Sequence, residues 1–147
     1  MVYTGVVKMR VKVKVKTDLK NFEVAKAAIV KETATRIQDI GDSLAMTASG
    51  AAPHDQGILE KSYKVKNTPT STTVSFSAKH NGFDYTIKMH DGIYNLGPGS
   101  LAKSGGVGMS GKTYRVGPKF LTRPLEGEKD TYTKYIGDAL ATILRSF

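Results

Sequence analysis

Residues 7–16 read Val-Lys-Met-Arg-Val-Lys-Val-Lys-Val-Lys, and this strict alternation decides how the chain begins to fold. Successive side chains on a β-strand point to opposite faces, so a period of two predicts a strand with one buried and one solvated face. The solvated face carries cations about 7 Å apart, which solvent and salt, an acidic partner or DNA phosphates can neutralise. These cations are Lys8, Arg10, Lys12, Lys14 and Lys16.

A long amphipathic helix is predicted immediately after this strand. Apolar side chains recur at helical spacing over residues 22–44, and Thr17 or Asp18 can cap the first turn. We expect the helix to cover residues 19 to about 47, which gives a length of roughly 40 Å. Small residues and Pro53 then end it.

The remaining pattern predicts a short sheet and a closing helix. Alternating residues indicate strands within residues 58–66, over 72–78 and over 85–90, with Asn81-Gly82 as a hairpin turn and a short strand at 114–116. Helical spacing returns over residues 126–144. The fold class is therefore α+β, a small antiparallel sheet with the long and the closing helices on one face. At 147 residues, the chain (1–147) is expected to form a single domain.

The composition restricts the chemistry and the compartment. The formal net charge is +9, which favours nucleic acid or an acidic surface as a partner. The sequence contains no cysteine, so it offers neither a disulfide framework nor a thiolate metal site. We expect no membrane association, because no apolar run has the length of a membrane span and the N-terminus lacks the order of a secretory signal. A protein of the cytoplasm, or of a particle assembled there, is expected.

A glycine-rich stretch lies in the middle of the chain. Residues 106–113 read Gly-Val-Gly-Met-Ser-Gly-Lys-Thr, which matches the phosphate-binding pattern G-x-x-x-x-G-K-[ST]. The context does not fit, because no apolar strand precedes the stretch and Gly117-Pro118 occupies the place where a helix should continue. We therefore interpret residues 97–112 as a flexible assembly loop within the domain. Its glycines are Gly97, Gly99, Gly105, Gly106, Gly108 and Gly111.

The three histidines are the remaining candidates for catalysis or metal binding. His54-Asp55 and His90-Asp91 place an imidazole beside a carboxylate, but neighbours on a strand point to opposite faces and are not aligned for proton relay. A metal site from His54, His80 and His90 would need a convergence in space that their spacing does not indicate. We predict no catalytic residues, no metal and no cofactor.

The order of short motifs resembles a known family. Residues 53–62 read Pro-His-Asp-Gln-Gly-Ile-Leu-Glu-Lys-Ser, residues 83–90 read Phe-Asp-Tyr-Thr-Ile-Lys-Met-His, and residues 118–125 read Pro-Lys-Phe-Leu-Thr-Arg-Pro-Leu. Together with the long first helix, the glycine-rich stretch and the closing helix, they resemble the minor capsid or head–tail joining proteins of long-tailed bacteriophages. Many of those proteins are similar to tail-terminator rings. The resemblance covers residues 19–147, and the basic strand lies outside it.

This resemblance implies a structural, non-catalytic protein of the virion neck. It implies a homo-oligomeric ring, a hexamer, that joins the DNA-filled head to the tail. The implied partners are other copies of the chain, adjacent neck and tail-tube proteins, and double-stranded DNA passing through the bore. Residues 97–112 would order on contact with a neighbour, so their partial deletion (residues 99–110) should spare folding and damage assembly.

Two other functions remain open. The first is a nucleic-acid-binding module that uses the basic face of residues 8–16, which salt-sensitive DNA binding would indicate. The second is a P-loop nucleotidase, which loss of nucleotide binding on Lys112→Ala would indicate. We predict no nucleotide binding.

Overall fold

The computed structural model describes residues 6–12, 23–54 and 56–146. Its elements confirm an α+β fold with small antiparallel sheets, a long helix near the N-terminus and a closing helix. In chain order the elements are β1 (Val7–Lys12), α1 (Glu23–Ala51), α2 (Ile58–Lys61), β2 (Tyr63–Thr68), β3 (Ser71–Phe76), β4 (Lys79–His80), β5 (Phe83–Asp84), α3 (Thr86–Asp91), α4 (Pro98–Leu101), β6 (Gly106–Val107), β7 (Thr113–Tyr114) and α5 (Thr122–Arg145).

The main sheet has three strands in the order β1-β3-β2, and both pairings are antiparallel. In β1 the side chains alternate between Val7, Met9 and Val11 on the covered face and exposed cations on the other, as predicted. The predicted strand over 72–78 is present as β3, with Thr72, Val74 and Phe76 buried. Residues 13–16 of the first predicted strand lie outside the described part of the chain.

Helix α1 packs against both the main sheet and the closing helix. It contacts β2 and β3 of the main sheet as well as β6, β7 and α5, and the helices lie on one face of that sheet as predicted. It continues to Ala51, one turn past the predicted end, and the predicted start and cap at residues 17–19 are not among the described residues. Helix α5 packs along α1, where the Tyr135 hydroxyl donates a hydrogen bond to the Asp39 carboxylate at 2.6 Å.

The prediction of a strand over residues 85–90 is wrong, because this segment forms helix α3. The carboxylate of Asp84 accepts hydrogen bonds from the Thr86 backbone N–H at 3.0 Å and from its hydroxyl at 2.6 Å. A side chain that bonds the backbone two residues ahead starts a turn. The buried side chains are Thr86 and His90, four residues apart, which is the spacing of one helix face. The Asn81-Gly82 hairpin turn was predicted correctly and joins β4 to β5.

The glycine-rich stretch is not the loose loop predicted from the sequence. It folds into α4 and a small hairpin of β6 and β7, and the hairpin packs on α1. The Thr47 hydroxyl of α1 donates to the carbonyl of Val107 at 3.0 Å. A Cβ on Gly106 would collide with the Thr47 carbonyl, and one on Gly108 would collide with the Glu128 carboxylate. These glycines therefore permit close packing rather than slackness.

The replacement Gly106→Ala tests this interpretation. We expect a loss of about 1–3 kcal/mol in the free energy of unfolding, because the new methyl group would push the hairpin away from α1. Gly97→Ala is the matched control, since a Cβ there meets no heavy atom within 4 Å and the backbone is extended. Urea unfolding followed by far-UV circular dichroism measures both. Equal stability of the two variants would restore the loose-loop interpretation.

Candidate functional surface

The outer face of the main sheet is strongly basic. Pairing of β1 and β2 with the central strand β3 aligns their outward side chains in rows across the sheet. In one row Arg10 lies opposite Thr73, and Thr73 lies opposite Lys66. The rows on either side consist of Lys8, Ser75 and Lys64, and of Lys12, Ser71 and Thr68. The face therefore has a cationic column on each outer strand and a column of hydroxyls between them.

Among the described strand residues, no outward side chain of this sheet is a carboxylate that could offset the charge. All five cations are exposed, whereas the three hydroxyl residues of β3 are half-buried between them. The ion pairs in the described part of the chain involve other residues, on the helices and loops. Strand geometry places cations about 7 Å apart along a column and the two columns about 10 Å apart. Such distances are comparable to the screening length of physiological salt, so the charges reinforce one another's field.

The sequence predicted three of the five described cations of this surface. Lys8, Arg10 and Lys12 lie on the solvated face as expected, whereas Lys14 and Lys16 belong to residues 13–22, which are not described. The contribution of Lys64 and Lys66 was missed. Their alternation with Val65 was the available signal, but only the strand order shows that both columns share one face.

The six glycines predicted as an assembly loop do not act as a unit. Gly97 and Gly99 flank the start of α4, and Gly105 precedes the hairpin with a φ of 97° that favours glycine. Gly106 and Gly108 are buried, whereas Gly111 lies in the exposed hairpin turn. Lys112 and Thr113, the last residues of the phosphate-binding pattern, lead into β7 instead of a helix, and the next helix begins at Thr122.

The hairpin turn binds an anion that belongs to the chain itself. The fully buried carboxylate of Glu128 accepts hydrogen bonds from the Ser110 N–H at 2.7 Å, the Ser110 hydroxyl at 2.6 Å and the Tyr114 hydroxyl at 3.0 Å. Burial raises the pKa of Glu128, but these hydrogen bonds outweigh it and hold the pKa below its ordinary value of 4.5. Burial and the bond to Glu128 raise the pKa of Tyr114 to about 12. The anion held by this stretch is therefore the Glu128 carboxylate of the same chain.

The pH dependence of Glu128→Gln tests this anchor. The ionised carboxylate stabilises the fold above about pH 4.5, and this contribution is lost as the pH falls through the lower folded pKa. We expect the variant to lose about 1–3 kcal/mol at neutral pH and the difference from the wild type to narrow in acid. Urea unfolding at several pH values measures it. The control is Glu126→Gln, an exposed position in the same helix; a pH-independent loss at Glu128 would contradict the anchor.

Two histidines, His54 and His90, make contacts with carboxylates. His54 Nδ1 lies 2.5 Å from Glu60, which also pairs with Lys103 at 2.6 Å. Burial raises the pKa of Glu60, but the hydrogen bonds from Lys103 and His54 outweigh it and lower that pKa. Asp55, the sequence neighbour of His54, is not described.

The adjacent pair His90-Asp91 does form a contact, which the strand assumption excluded. His90 Nδ1 lies 2.7 Å from Asp91 Oδ1, because both residues lie at the end of a helix rather than on a strand. Its Nε2 lies 3.1 Å from the Thr122 hydroxyl, and its ring packs edge-to-face on Phe120. The hydrogen bond from Lys119, then that from His90, lowers the pKa of Asp91. With the imidazole buried, this chain of contacts fastens α3 to the start of α5.

The described residues provide neither a ligand cluster for a metal ion nor a helix that could span a membrane. No group of three or more His, Asp or Glu side chains there is arranged to hold a metal ion. No described helix combines the length and the apolar character needed to cross a membrane. A search of protein-family models, curated proteins and solved structures returns no significant match to this chain.

Proposed function

We propose that this chain is a structural protein of the bacteriophage neck, a virion component that assembles into a ring, a hexamer, between the DNA-filled head and the tail. Its partners would be other copies of itself and the adjacent neck and tail-tube proteins, and duplex DNA would pass through the bore. The proposal assigns no catalysis and no cofactor to the chain. It rests on the ordered motifs in residues 53–62, 83–90 and 118–125.

The observation that supports the proposal is that these three segments form one packing unit. The Lys119 N–H donates to the His90 carbonyl at 2.6 Å, which joins the third segment to the second. Pro53 and Leu59 of the first segment line a cavity of about 200 Å³ together with Tyr85 and Met89 of the second. Motifs that are far apart in the sequence are therefore close in space. This is expected if all three belong to one common arrangement of elements.

A ring needs two different and complementary surfaces on each subunit. Strands β1 and β2 are the two edges of the main sheet, and edge strands offer backbone groups for pairing. The glycine-rich stretch offers apolar side chains, since Leu101 is 69% exposed and Val107 is 61% exposed. Its hairpin is anchored by Glu128, so Val107 is presented from an ordered support. We assign this stretch to the subunit interface.

The double replacement Leu101→Glu and Val107→Glu tests the interface. Both side chains are exposed, so the monomer should remain folded while the introduced carboxylates disfavour burial against a neighbouring subunit. We expect wild-type rings in negative-stain images and mass photometry, and their loss in the variant. The matched control is Val24→Glu with Val30→Glu, two exposed valines of α1 that carry the same change in charge.

Two results would count against the proposal. A wild-type protein that stays monomeric at every accessible concentration and forms no rings would contradict the self-assembling ring. If rings form in the variant with Leu101 and Val107 replaced but not in the α1 control, the chain still assembles into a ring. The subunit interface then lies on α1 and not on the glycine-rich stretch.

A further inference from the structure

The basic sheet face has a composition that the packing of the domain does not explain. Its five cations, Lys8, Arg10, Lys12, Lys64 and Lys66, point away from the covered side of the sheet and take part in no ion pair within the described residues. Their mutual repulsion opposes folding unless an external anion neutralises them. A bound polyanion would turn the repulsion into a favourable interaction and release its own counterions.

The side chains between the columns specify the kind of anion. Ser71, Thr73 and Ser75 carry hydroxyls, and hydroxyls donate to phosphate oxygens in protein–DNA contacts. The outward side chains of the three strands include no aromatic ring on which an unpaired base could stack, as single-strand binding proteins require. The face is therefore built for a sugar-phosphate backbone and not for base readout.

The dimensions favour a duplex. The column from Lys8 to Lys12 spans four residue steps, or about 14 Å, which equals about four phosphate steps along one strand of B-DNA. The second column runs alongside at about 10 Å, within reach of long lysine side chains on either side of a groove. A rigid, regularly charged rod can meet both columns at once.

We propose that the outer face of the β1-β3-β2 sheet binds double-stranded DNA through its phosphates, without sequence preference. The five described cations define the contact, and the hydroxyl column of β3 adds hydrogen bonds between them. This inference goes beyond ring assembly and does not depend on it, because all five described cations belong to one subunit.

Fluorescence anisotropy with labelled duplexes of two unrelated sequences, titrated with salt, tests the proposal. The wild type should bind both duplexes equally, with a slope of log K against log salt of up to about −4.5 from the five described cations. Arg10→Gln with Lys66→Gln removes both cations of one row. It should weaken binding about tenfold at low salt and reduce the slope by about two.

The control carries the same change in net charge at another place. Lys31→Gln and Lys129→Gln remove two exposed lysines, from α1 and α5, and should leave affinity and slope almost unchanged. Thr73→Val removes the hydroxyl between Arg10 and Lys66 and should weaken binding without altering the slope. Circular dichroism of every variant verifies that the sheet is intact.

Three results would overturn the proposal. The first is an absence of duplex binding by the wild type at low salt. The second is an equal loss in the face variant and the α1/α5 control, which would show a general effect of net charge. The third is displacement of the duplex by polyglutamate at equal charge concentration, which would identify an acidic protein surface as the better partner. A failure of the DNA-binding proposal would not change whether rings are seen in negative-stain images, so the two proposals can be tested separately.

Discussion

Helix α1 is approached closely from two directions, and a glycine lies at each point of approach. On the sheet side, a Cβ on Gly41 would collide with the Thr72 hydroxyl of β3. On the hairpin side, a Cβ on Gly106 would collide with the Thr47 carbonyl of α1 itself. Because backbones and side chains here leave no room for one more carbon, the positions of the sheet and of the hairpin are both set by α1.

The buried carboxylate of Glu128 connects this packing to the closing helix. An ionised side chain is costly to bury unless donors surround it, and Ser110 and Tyr114 supply three hydrogen bonds. Both donors lie on the glycine hairpin, so the charge can be accommodated only when the hairpin rests between α1 and α5. The match to the phosphate-binding pattern in residues 106–113 has a physical counterpart, since the Ser110 backbone N–H within it donates to an anion. That anion is the Glu128 carboxylate, which belongs to the same chain.

The sequence predicted those features that depend on local pattern and missed those that depend on distant neighbours. The alternation in Val7–Lys12 was enough to predict the solvated face of β1, because the period of a strand determines which side chains share a face. Three alternating residues after Asp84 fitted a strand equally well, and the bonds from Thr86 to Asp84 decided for a helix. From the sequence alone, Gly106 shows only that this position has no side chain. It does not show that the Thr47 carbonyl of α1 leaves no room for one. Likewise, Lys64 joins the basic face only through a strand order that no local signal encodes.

If the chain forms the proposed neck ring, its basic face raises the question of how DNA could still move past it. A surface that reads base edges would hold DNA in preferred registers, since each mismatch costs about 1–3 kcal/mol. Contacts from Lys8 or Arg10 to phosphates are equivalent at every step along the backbone, and this uniformity lets proteins slide on DNA. Exposed lysine–phosphate contacts are also screened and form and break singly. A duplex could thus be guided along such a face without being stopped, which makes phosphate binding and passage compatible in one ring.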